Sequence, residues 1–231
     1  MDAVKIITEQ INSKAILGQI GKSVGAKPAE VKKVTELGLP TLVKALQTNL
    51  KTPAGAAALS KALDDHGNDS VENISGFLEN VDLKDGAKIL KHVFSGDDKK
   101  VQNNIAKQVG LKSSQVSGIM SQLAPVLIGA LASQKKEQSL GVSGISDLLD
   151  ILSGQLGGGG LMNIVAAILG TGGGGDILSQ VGGLLGKLIK TDNLKATSAK
   201  TTKAKTTGTK KKTTTAKAPV KKITKTVKKK P

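Results

Sequence analysis

The sequence predicts an all-α fold: a multi-helical bundle of two duplicated helical hairpins, followed by a Gly-rich region with short helices and a disordered basic tail. Three observations predict it. Apolar residues recur at three- and four-residue spacing from Val4 to Leu131, and no segment alternates as a strand would. Proline and glycine fall where helices start and stop. One stretch of the pattern recurs 85 residues later.

Taken in order, Val4, Ile6, Ile7, Ile11, Leu17, Ile20 and Val24 mark a first amphipathic helix. Pro28 sits where a first-turn proline belongs, and Val31, Val34 and Leu37 follow it. Gly38 and Pro40 are expected to break that helix, and Leu42, Val43, Leu46 and Leu50 to begin another. Thr52-Pro53 pairs a capping hydroxyl with a proline, opening a helix through Ala56, Leu59 and Leu63 that stops at Asp64-Asp65-His66-Gly67. Val71, Ile74, Phe77 and Leu78 mark a short helix. Ile89, Leu90, Val93 and Phe94 mark the next, ended by Ser95-Gly96. Asp97 is placed to cap a helix through Val101, Ile105 and Val109 that ends at Gly110. Ser113 or Ser114 caps the last of this series, through Val116, Ile119, Leu123, Val126, Leu127 and Leu131, with Pro125 expected to kink or split it.

The internal repeat ties these elements together. Val24-Gly25-Ala26-Lys27-Pro28-Ala29-Glu30-Val31 aligns with Val109-Gly110-Leu111-Lys112-Ser113-Ser114-Gln115-Val116, and Pro40, Leu42, Ala45 and Leu46 align with Pro125, Leu127, Ala130 and Leu131. A single hairpin would leave its apolar face open, so two pseudo-equivalent hairpins packed together are expected.

Composition then divides the chain into residues 1–133, the duplicated helical domain; 134–190, Gly-rich with short apolar helices; and 191–231, a Lys/Thr/Ala-rich tail. Gly157 to Gly160 and Gly172 to Gly175 are connectors between apolar pieces at Ile145–Leu152, Leu161–Leu169 and Ile177–Ile189. Asp176 is a plausible cap for the third piece. These pieces either finish the core or serve self-association or a membrane surface. Thr191 to Pro231 holds fourteen Lys and one acid, Asp192, so it carries +13 of the chain's +16 and leaves +3 for the rest. A segment so charged and so poor in large apolar side chains cannot offset the entropy of ordering itself.

Three stretches carry a family resemblance. They are Thr52-Pro53-Ala54-Gly55-Ala56-Ala57-Ala58-Leu59 with Ala62-Leu63-Asp64-Asp65-His66; Gly86 through Gly96 (Gly, Ile-Leu, His and Phe in order); and Leu123-Ala124-Pro125-Val126-Leu127-Ile128-Gly129-Ala130-Leu131. In this combination and order, about Val24 to Gln134 resembles the bacterial domain of unknown function 937, a YidB-like all-helical family. Ser95 departs from the family, which usually has Gly there, and the first repeat is richer in Lys. The resemblance implies an all-α fold; it brings no agreed activity and no known catalytic residues, so it speaks to architecture only.

Chemistry is sparse. The chain has no Cys, Trp, Tyr or Arg, so disulfides, thiolate catalysis and Cys-built zinc sites are excluded. Ile16 to Ser23 ends like a phosphate loop but has Ile16 where that motif needs Gly. Gly170 to Gly175 fits a dinucleotide fingerprint, yet it is low-complexity and has too little foldable chain after it. His66 is expected as a helix C-terminal histidine and His92 as a half-buried one with a backbone partner. Asp64, Asp65, Asp97 and Asp98 fall at helix ends as capping acids. No catalytic residue, metal ligand or cofactor is assigned, and the chain reads as a non-enzyme.

The tail is the one strong signal. It resembles the lysine-rich tails of linker histones. Lys200, Lys203, Lys205, Lys210, Lys211, Lys212, Lys217, Lys221, Lys222, Lys225, Lys228, Lys229 and Lys230 are the candidate nucleic-acid-binding residues. Each Lys that neutralises a phosphate releases condensed counterions. Sequence-independent binding of DNA or another polyanion is therefore expected, nucleoid-associated in a cytoplasmic setting, since no signal peptide or membrane span is read from the sequence. The alternative on the same residues is a self-assembly or protein-interaction module, a homo-oligomer included, whose tail contacts a membrane surface or other polyanion.

Overall fold

The computed structural model describes residues 3–69, 71–158 and 160–171. The chain divides into two units, Met1–Ile189 and Lys190–Pro231, and the second lies outside the described residues. So do Gly172 to Gly175, Asp176 and the apolar piece Ile177–Ile189. The described part is helical and, among the described residues, has no strand: α1 (Ala3–Lys5), a π-helical turn (Ile6–Gln10), α2 (Lys14–Val24), α3 (Pro28–Leu50), α4 (Pro53–Asp65), α5 (Ile74–Glu79), α6 (Leu83–Val93), α7 (Asp98–Val109), α8 (Ser113–Gln138), α9 (Val142–Leu156) and α10 (Leu161–Leu169).

The first expected helix is not continuous. Ile11 N–H donates to Ile6 O at 3.2 Å, a five-residue step that stacks Ile6 over Ile11 and lets both be buried beside Ile7. Thr8 and Asn12 then bond back to Val4 O and Thr8 O, and Ser13 restarts the chain as the cap of α2. Ala3 N–H donates to the buried Gln134 side chain at 3.0 Å, fixing the amino end to α8.

Gly38 and Pro40 do not break α3. The helix runs through both from Pro28 to Leu50, and both are buried. Gly38 is a crossing point: a Cβ there would lie 2.5 Å from Met120 Sδ and 3.9 Å from Leu123 Cδ1 of α8. Pro40 lacks the N–H that would bond Glu36 O, and in the same turn the Thr41 hydroxyl donates back to Leu37 O at 2.6 Å, so the buried hydroxyl is satisfied within the helix. Likewise α8 is one helix through Pro125, not two. Pro125 leaves Ser121 O without its usual N–H donor, and Gly86 of α6 lies against that carbonyl so closely that any Cβ would overlap it. The glycine Cα–H thus covers the carbonyl that the proline has freed.

The duplication is visible in the turns. Gly25 (φ 66°) and Gly110 (φ 73°) end α2 and α7 in the left-handed region, where glycine carries no Cβ penalty. Ala26 N–H bonds Gly21 O, and Leu111 N–H bonds Ala106 O, its equivalent 85 residues on. Glu30 accepts from Lys27 N–H at 2.7 Å, and Gln115 accepts from Lys112 N–H at 3.3 Å. The cap of α8 is therefore Lys112 rather than Ser113 or Ser114. Gly38 meets Leu123, its own repeat equivalent, so α3 and α8 cross about a pseudo-twofold axis there.

Helix α8 is the centre of the body, with every residue from Ile119 to Ala132 buried. By length and composition it could cross a membrane, but its most apolar window is 83% buried in the fold, as the core helix of a globular body is. Helices α2, α3, α4, α6 and α7 pack around it. Helices α9 and α10 lie on α3 and bury Leu149, Leu152, Val165 and Ile168. The described part of the Gly-rich region thus shares one apolar cluster with the repeats.

Candidate functional site

The thirteen tail lysines from Lys200 to Lys230 lie outside the described residues, as do Asp192 and all but Gly170 and Thr171 of the glycine motif. What the body offers is a charge distribution and several polar clefts, two of them built around the charged residues singled out above.

One cleft, about 620 Å³, lies among the end of α4, α5 and the start of α6. Asp65, His66, Asp69, Asp82 and Asp85 edge it, with Phe77, Val81 and Pro125 among its apolar lining. His66 is the C-cap of α4, as expected. It also does more: Nδ1 lies 2.7 Å from Asp69 Oδ2 and Nε2 4.0 Å from Asp85 Oδ2. The Nδ1 contact joins His66 to Asp69 within the α4–α5 loop, while the Nε2 distance to Asp85 of α6 is too long for a hydrogen bond. The Asp82 side chain accepts from Lys84 N–H at 2.8 Å and caps α6. Among the described residues, no three His, Asp or Glu side chains converge as metal ligands would. The nearby Ser75 hydroxyl donates to Gln19 Oε1, not to a base. The arrangement is a cleft with acidic edges.

The second cleft, about 320 Å³, lies between α4 and the end of α8. The Lys135 side chain is 15% exposed; its ammonium donates to Asp64 Oδ1 at 2.6 Å, Ser60 Oγ at 3.0 Å and Ser60 O at 3.2 Å. Every donor of this half-sunk ammonium has an acceptor. Lys136 reaches Asn68 Oδ1 beside it. Asp64 and Asp65 are thus partners of lysines rather than caps; the Asp65 carboxylate sits 2.7 Å from Lys61 and holds that ammonium above its ordinary value. Asp97 occupies a cap position but accepts no capping bond.

Sequence reasoning missed Asp69, Asp85 and Lys135. The His66–Asp69 pair was accessible as an i, i+3 neighbour. Lys135 with Asp64 spans 71 residues and left no local trace. His92 is corrected: it is exposed on α6, not half-buried.

The residues shared with the family pattern explain packing. Gly86 admits α6 onto α8, Leu90 and Phe94 enter the core, and Gly96 (φ 90°), with Ser95 (φ 52°) standing where the family usually has Gly, turns the chain from α6 into α7. Comparison with protein families matches residues 6–134, which reaches from the π-helical turn almost to the end of α8, to the family described as "Bacterial protein of unknown function (DUF937)". No curated protein and no solved structure matches the chain. Residues 6–134 make up more than half of the 231, and the signature glycine, core and turn positions serve the helical packing just described, so the chain belongs to the DUF937 family of bacterial proteins.

Proposed function

We propose that this protein is a non-enzymatic, sequence-independent DNA-binding protein whose lysine tail supplies the affinity and whose helical body supplies a protein or self-association contact, in a nucleoid-associated, cytoplasmic role. One observation carries the reading: +13 of the +16 net charge sits in 41 residues at one end of the chain. Counterion release makes such a segment a polyanion ligand. With no Arg anywhere, the chain lacks the rigid fork that most often reads guanine, and with no Trp or Tyr it has few platforms for base stacking.

The test is a gel shift over a salt series with the full chain and with a variant whose thirteen tail lysines from Lys200 to Lys230 are Gln. If about ten lysines engage the duplex, log affinity falls against log salt with a slope near −9. The glutamine variant should lose most of that slope. Equal retention of both proteins would move the site into the body. No retention of either at low salt would favour the interaction-module reading, with the tail against a membrane or another polyanion.

A further inference from the structure

We infer that the paired tips of the two hairpins form a second phosphate-binding surface, through which the body docks on the backbone of duplex DNA. This rests on the DNA-binding reading of the tail and assigns the body a share in it.

Lys22 and Lys27 flank the α2–α3 turn, and Lys107 and Lys112 flank the α7–α8 turn; each pair is the other displaced by 85 residues. All four are exposed, and none makes an ion pair among the described residues. The two turns are held side by side. Gln115 Nε2 donates to Gly25 O at 2.8 Å, and Gly118 of α8 meets Val24 at the end of α2. Glu30 is the one acid between residues 20 and 30, none lies between 105 and 115, and its carboxylate is turned back to Lys27 N–H. Asp65, Asp69, Asp82 and Asp85 gather elsewhere, around α4 to α6, and Asp97 and Asp98 lie at the opposite end of α7 from its turn into α8.

Stability accounts for two of these lysines but not for the other two. Lys22 and Lys107 lie in last turns, where a cation suits the helix dipole. Lys27 and Lys112 occupy the opposite ends, as N-caps of α3 and α8. A lysine cannot accept the orphan N–H groups there, and its charge faces the positive end of the dipole. Ser or Asp would serve both helices better. The same unfavourable choice at two equivalent positions marks a surface kept for its charge. Duplex DNA offers one charge per about 1.7 Å of axis, so a patch two helices wide meets several phosphates at once.

The test uses the full chain and a short duplex, with binding followed by anisotropy over a salt series and folding by thermal melting. The variant Lys22→Gln, Lys27→Gln, Lys107→Gln, Lys112→Gln should flatten the slope by about 3 to 4, at roughly 0.9 per contact. A second variant, Lys27→Ser with Lys112→Ser, should melt at a higher temperature than the native chain yet flatten the slope by about 2. A purely structural role would not move the two readouts in opposite senses. The exposed control Lys51→Gln with Lys84→Gln should leave the slope unchanged. An unaltered slope in the serine variant, or an equal loss in the control, overturns this inference and leaves the tail's role standing. Failure of the native chain to bind at low salt overturns both. Loss of binding to phosphatidylserine vesicles, without loss on the duplex, moves the surface to a membrane and also overturns it.

Discussion

Ser95 is held at φ 52°, where a side chain costs about 1–2 kcal/mol relative to ordinary helical backbone. Glycine escapes that cost but gives up entropy in the unfolded chain, so Ser95→Gly should stabilise the body by about 0.5–1 kcal/mol. A denaturant titration with unchanged slope and a raised midpoint is the expected result. The opposite case is Gly86. Its Cα rests on Ser121 O, so Gly86→Ala drives a methyl into backbone that cannot swing aside. The loss should be at least about 2 kcal/mol in the same titration. Both residues stand out in the sequence as punctuation, but their reasons differ. Ser95 answers to a dihedral angle, which a turn signal predicts. Gly86 answers to a neighbour 35 residues away whose proline has freed a carbonyl, which no local pattern announces. Lys61 shows how little some visible pairs decide. Asp65 raises its pKa above 10.5, so the pair's support is present below that pH and fades as the ammonium titrates in alkali. Both partners are exposed, and solvent screens the pair.

At the scale of elements, the helix starts marked by a proline were the most legible feature. Thr52-Pro53 opens α4 as read, with the Thr52 hydroxyl accepting from Gly55 N–H at 3.1 Å. A first-turn proline announces a start, as at Pro28 and Pro53, whereas the cap at Lys112 and the start at Ser13 were not announced by their residues. Stops inside helices were misread at Pro40 and Pro125, because what keeps α3 and α8 whole is burial on all sides and, at Pro125, the close cover that Gly86 gives the freed carbonyl. The interruption at Asn12-Ser13 was missed for the converse reason: the isoleucine spacing before it is nearly helical, and only the five-residue step distinguishes it. Helices α9 and α10 carry a prediction. Leu149 is 0% and Ile168 1% exposed, in the cluster that also holds Leu39 and Leu42 of α3. Truncating either to Ala should cost about 2–5 kcal/mol. Unfolding should remain a single transition, since the same cluster holds the two elements to the repeats. A separate, early transition for α9 and α10, seen by hydrogen exchange at their amides, would show that they fold apart from the repeats.

For the whole molecule the separation of charge matters more than its sum. The fold was legible because helical periodicity, capping and duplication are local and repeated. The candidate site was legible only as a composition, since the tail's lysines have no spacing that names a ligand. The acidic cleft and the paired lysine tips could be found only once the fold had brought α4 to α6 and the two turns together. That composition still constrains recognition. Discrimination between base pairs comes from bidentate contacts worth about 1–3 kcal/mol each, most often made to guanine by Arg. This chain has none, and a lysine ammonium reaches a phosphate as a mobile point charge. Competition between duplexes of equal length and different base composition should therefore give affinities within about threefold at any one salt concentration, while raising the salt weakens all of them together. A hundredfold preference, about 2.7 kcal/mol, would need at least one good base contact per site and would mean that the helical body reads the duplex.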